Sequence, residues 1–136
     1  MAWTQSIYPM AGKLGIAMRM PSIATRTRLA HEAGAWARAQ GQADAMNSAI
    51  FRAYFERSAD IGNVEVLAGL AAGIGLDAGA LRTALTTQSH LQEVIADEEQ
   101  AERYGLTGVP AFIWNGHGLV GVQTEKSLEQ LLSRAV

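Results

Sequence analysis

Apolar residues recur at helical spacing over the first hundred positions and then give way to short β-like runs. Pro9 and Pro21 bracket a stretch holding Gly12 and Gly15, which predicts a short helix near Ile7–Leu14 and a loop from Gly15 to Pro21. Leu29, Ala33, Trp36 and Ala37 form one stripe of a helix that Ser22 or Thr25 would cap and Gly41 would end. A second helix, about Asp44–Ser58, gathers Ile50, Phe51, Tyr54 and Phe55 on one side, the expected anchor of the core. Asp60–Asn63 reads as a turn. Asn63 caps a helix with Val66, Leu67, Leu70, Ala71 and Ile74 in register, stopped by Gly75, and Asp77 caps a shorter one through about Thr86. Ser89-His-Leu-Gln92 has the form of a capping box, opening a helix to Tyr104 that Gly105 stops.

After residue 105 the texture changes. Val109–Trp114 is apolar and partly β-branched, Asn115-Gly116 is a hairpin turn signal, and Leu119–Val122 is the expected return strand. Thr124 then caps a last helix, Glu125–Ala135, with Leu128, Leu131 and Leu132 facing inward. The plan is an α+β chain, mostly α: a helical region over 1–105, a ββα unit over 106–136, and one compact domain overall.

Composition narrows the function classes. The 136 residues are 49% hydrophobic, enough for a real core and too many for a disordered chain. Aromatics make up only 7%, so the core should rest on small residues with a few large anchors. A net charge of −2 argues against nucleic-acid binding, which needs a positive field. The charge is uneven: residues 1–57 hold seven Lys/Arg against Glu32, Asp44 and Glu56, and the remainder holds four basic against ten acidic residues. Two solvated faces of opposite sign are the expected reading. With zero cysteines the chain has no disulfide, thiolate metal site or thiol nucleophile of its own. No run approaches the roughly 20 apolar residues of a membrane span, and the N-terminus lacks the form of a signal peptide, so a cytoplasmic protein without membrane contact is expected.

Three stretches taken together carry a resemblance. Leu106-Thr-Gly-Val-Pro-Ala-Phe-Ile-Trp-Asn-Gly116, with Gly121-Val-Gln123 and a leucine-rich helix after it, is similar to the G-V-P-x-F-x-x-(N/D)-G…G-A-Q segment of DsbA-like thioredoxin-fold proteins. Ala30-His31 lies in a helix that follows a proline, and Ala49–Phe55, Asp60-Ile61 and Gly75–Asp77 follow in order. This order resembles the FrnE-like and 2-hydroxychromene-2-carboxylate isomerase-like branch over about residues 3–136. The resemblance implies a truncated DsbA-like fold, a helical insertion followed by a β-hairpin and C-terminal helix. The first strand, active-site turn, helix and second strand of that family have no counterpart in the sequence, and Val122 stands where members usually have Ala. No catalytic nucleophile carries over.

The resemblance further implies a cis bond before Pro110, shaping a substrate-binding loop with Val109; from the residues alone, a trans proline opening a strand is the alternative. Without a neighbouring first strand, Ala111, Phe112, Ile113 and Trp114 would form an exposed apolar edge, open to pairing with a second copy. A homodimer is therefore expected, the alternative being a separate chain that supplies the missing βαβ. His31 is a candidate ligand contact, weighed against a plain helix histidine pairing with Glu32 or a carbonyl. His90 and His117 are expected to be exposed, and three scattered histidines do not make a metal site. Trp36, Phe51, Tyr54, Phe55 and Trp114 read as core; Asp97, Glu98, Glu99 and Glu102 read as a solvated face. The functional expectation is a non-redox binding or structural module that needs no cofactor. The rivals are a glutathione-dependent isomerase-like or transferase-like enzyme, one half of a split oxidoreductase, and a fragment of a longer protein.

Overall fold

A computed structural model describes residues 2–134. The elements run α1 (Ala2–Lys13), α2 (Arg28–Ala39), α3 (Ala43–Phe55), α4 (Val64–Gly73), α5 (Ala78–Thr86), α6 (Leu91–Arg103), β1 (Ala111–Trp114), β2 (His117–Val120) and α7 (Glu125–Leu132). The chain divides into two compact units, residues 1–94 and 95–136. Among the described residues, no helix is long and apolar enough to cross a membrane.

The first unit is a bundle built on small residues. Ala30, Ala33 and Ala37 lie along one face of α2 and are buried, beside a buried Trp36. Small side chains let helix axes approach closely, and α2 packs against α3, α4 and α5. Met46, Leu67 and Leu81 are the large side chains that vanish completely from solvent. Each stabilises the fold by about 1.5–3 kcal/mol through the apolar surface it removes from water.

Ends and turns follow local chemistry. Asn63 Oδ1 accepts the Glu65 N–H at 2.8 Å and the Val66 N–H at 3.3 Å, opening α4. Asp77 Oδ1 accepts the Ala80 N–H at 3.0 Å at the start of α5. Gly41 (φ 73°) and Gly75 (φ 84°) take the left-handed conformation just past α2 and α4, where a side chain would be strained. Gly62 answers a different need: a Cβ there would lie 2.9 Å from the Arg26 carbonyl oxygen, so only glycine lets the turn after α3 pass that backbone.

Several expectations need correcting. α2 starts at Arg28, later than a Ser22 or Thr25 cap requires, with Thr27 at its N-cap and no side-chain cap bond. Helix α1 begins at Ala2, well before Ile7, and tolerates Pro9 in its interior at the loss of one intrahelical hydrogen bond. The expected aromatic anchor is divided by the turn of α3: Ile50 is buried, Tyr54 and Phe55 are half-buried, and Phe51 is 62% exposed. The capping box does not form, because Ser89 Oγ turns to the Ala84 carbonyl (3.4 Å) and to His90 Nδ1 (2.9 Å). The return strand stops at Val120, since Gly121 (φ 90°) leaves the extended region. Of the last helix's leucines, Leu131 is buried and Leu132 is 59% exposed. That helix ends at Leu132, and its expected end at Ala135 lies outside the described residues.

Candidate functional site

The second unit holds the loop and hairpin that the sequence singles out. β1 and β2 pair antiparallel, with Ala111 opposite Val120, Phe112 opposite Leu119, Ile113 opposite Gly118 and Trp114 opposite His117. Asn115 (φ 48°) and Gly116 (φ 76°) form the connecting turn, both with positive φ as a type I′ turn requires. Asn115 Nδ2 donates to the Arg134 carbonyl at 3.1 Å, so the turn is tied to the segment after α7. Arg134 Nη1 lies 3.3 Å from His117 Nδ1, a second tie at the same corner.

At the other end of the hairpin the Val109–Pro110 peptide bond is cis. The Pro110 carbonyl accepts the Gly121 N–H at 2.7 Å, which fastens the loop before β1 to the exit of β2. Gln123 closes this exit: its Nε2 donates to the Val120 and Gly121 carbonyls, each at 3.1 Å. Thr124 Oγ1 then accepts the Ser127 N–H at 3.1 Å and starts α7. Held in this way, the loop presents Val109, 91% exposed, as an apolar tip with Pro110 exposed behind it. The positioning role of Gln123 was missed in the sequence, although the Gly121-Val-Gln123 motif pointed to it.

Each strand of this two-stranded sheet has one partner among the described residues, so each keeps an open edge. On β1, Ala111 and Phe112 are half-buried, Ile113 is 37% exposed and Trp114 is 44% exposed. Trp114 is therefore surface and not core. The site can offer backbone hydrogen bonds along a strand edge and an apolar contact at its start. Among the described residues it has no metal-binding cluster of His, Cys, Asp and Glu.

Comparison with known proteins decides the family. The model of the DSBA-like thioredoxin domain matches residues 2–133. The chain belongs to the DSBA-like thioredoxin domain family. It is 31% identical over 135 residues to YwbO, an uncharacterized protein of Bacillus subtilis (strain 168), a match covering 96% of this chain and 67% of that protein. This DsbA-like chain has no cysteine, so its own side chains cannot exchange thiol for disulfide.

The remaining candidates lie in the first unit. His31 is exposed on α2, its backbone N–H donating to the Thr27 carbonyl at 3.0 Å. The residue next to it is the unusual one. Glu32 is 2% exposed, and its Oε2 has no hydrogen-bond partner. Burial raises its pKa above the ordinary carboxylate value, against the opposing pull of the Arg28 and His90 charges. His90 is half-buried, not exposed as expected, because the segment before α6 brings it near this carboxylate. Charge pairs elsewhere in the unit are superficial: Arg38 pairs with Glu93, and Arg82 grips both oxygens of Glu65 at 2.8 Å.

Proposed function

We propose that this chain is a non-redox member of the DsbA-like family, a binding module that works through the Val109–Pro110 loop and the open edge of β1. The observation that carries this reading is a contrast within one chain: the family's loop and hairpin are fully built and tied down, yet no cysteine is present. The order of the motifs favours the FrnE-like branch. The occupant of the edge is a second copy, joined through Ala111–Trp114 into a four-stranded antiparallel sheet. An apolar strand left open in water favours such pairing, and the exposure of Ile113 and Trp114 supplies the contact surface.

Light scattering on a sizing column tests the reading. The wild-type chain should run at twice its 14.5 kDa mass. Ile113→Lys, which places a charge on the open edge, should run at the single-chain mass with an unchanged circular dichroism spectrum. A wild-type monomer at micromolar concentration would remove self-pairing. Reduction of insulin by the pure chain above a buffer control would remove the non-redox reading.

A further inference from the structure

The first unit carries a second surface that neither the hairpin nor the family's chemistry uses. Met10, Leu14, Ile16, Met20, Ile23 and Phe51 are large apolar side chains between 43% and 70% exposed. Ile16 and Phe51 line one groove. The Ile16 N–H donates to the Ala11 carbonyl at 2.9 Å, folding the chain back on the end of α1. The Arg19 N–H donates to the Phe55 carbonyl at 2.7 Å, laying the same segment along the end of α3. Between segment and helix runs a groove of about 330 Å³, floored by Ile16, Met18, Phe51 and Phe55.

The charges carried by the neighbouring segments are mostly positive. Residues 1–31 contain Lys13, Arg19, Arg26 and Arg28 and no acidic side chain; the first is Glu32, which is buried. Arg52 lines the groove, with Glu56 the acid among its lining residues, and Arg57 follows the same helix. Among the described residues no ion pair engages Arg19, Arg52 or Arg57. An apolar groove with Arg52 in its wall, and with Arg19 and Arg57 on the backbone next to Phe55 and Glu56, is complementary to an apolar stripe flanked by carboxylates. Methionines at positions 10, 18 and 20 add side chains that reshape easily around a partner.

We propose that this face docks an acidic amphipathic helix of a partner protein, its apolar side chains seated between the 16–18 segment and Phe51 and its carboxylates on Arg19, Arg52 and Arg57. A concave groove between two elements suits side-chain knobs from a helix better than the flat surface of a bilayer. The surface belongs to the first unit and is separate from the β1 edge, so it stands or falls apart from dimer formation.

The test uses two synthetic helices about five turns long with one shared apolar stripe, flanked by Glu in one and by Lys in the other. Binding to the full chain is followed by amide chemical shifts. The Glu helix should bind, more weakly as salt rises, and should move the amides of residues 16–20 and 51–56. Phe51→Glu, at an exposed position that leaves the fold intact, should weaken it about tenfold or more. Arg19→Glu combined with Arg52→Glu should exchange the preference, so that the Lys helix binds. Equal binding of both helices, binding of neither, or shifts confined to other residues would overturn the proposal. So would binding only to vesicles of phosphatidylglycerol, which would assign the face to a lipid surface.

Discussion

The helical unit and the hairpin unit of this chain differ in what holds them. In residues 1–94, Ala33, Ala37, Met46, Leu67, Ala68, Ala71 and Leu81 are wholly excluded from solvent. In residues 95–136, Leu131 is the buried hydrophobic side chain among those described. The hairpin unit is held mainly by named polar ties: Pro110 to Gly121, Gln123 to Val120 and Gly121, Asn115 to Arg134. The first unit thus owes its form to packing and the second to turn chemistry. Both units keep apolar surface in water, the condition for recruiting another chain. The Val109–Pro110 motif lies where packing is thin, because the residues of a presented loop are chosen for shape and access.

The largest expected effect breaks the packing side of this contrast. Leu67→Ala removes a fully buried side chain of α4 from the core of the bundle, and should cost about 2–5 kcal/mol. For a unit of this size each kcal/mol is about 4–8 °C, so the helical melt should fall by about 8 °C or more. Hydrogen exchange sharpens the comparison. Amides of α2–α5 should lose protection in the variant, while those of β1 and β2 should exchange alike in both proteins. Strong protection across the wild-type hairpin would show that it is already covered, as a dimer edge would be.

A smaller effect separates caps from packing. Asn63→Ala removes the acceptor of two N–H groups at the start of α4 and should cost about 0.5–2 kcal/mol. Asn63→Asp restores an acceptor of the same reach and should recover most of the loss. Thr124→Ala, at the same kind of position before α7, should free the N-terminus of that helix without moving the melt of the first unit. Thermal melts read by circular dichroism, beside amide spectra of each variant, separate the two outcomes.

The same contrast explains what was legible in the sequence. Asn63 and Asp77 were readable because a cap bonds only two or three residues along. The Asn115-Gly116 turn was readable because both positions require positive φ. Phe51 was misread because periodicity places a residue on a face but does not say how far round the helix the core extends. Ser89 was misread because its competing acceptor, the Ala84 carbonyl, belongs to the preceding helix. The burial of Glu32 depends on the folded chain, and no local pattern announces it.

Glu32 gives the finest test, since it is the one charged side chain among the buried residues of the packed unit. Desolvation raises its pKa despite Arg28 and His90, so its ionised form is held less well in the fold than in the unfolded chain. A group with a raised folded pKa favours the fold below its unfolded pKa and loses that contribution as pH rises through the folded value. At neutral pH its charge is therefore a cost. Glu32→Gln keeps the shape and removes the charge, so the variant should melt above wild type at pH 7. The gap should close as pH falls through the raised folded pKa towards the ordinary carboxylate value, where wild-type Glu32 takes up its proton. A variant less stable than wild type at neutral pH would mean that the pull of Arg28 and His90 outweighs burial. Glu32 would then be a charge anchor between α2 and the start of α6, and not a tolerated misfit in an alanine-lined core.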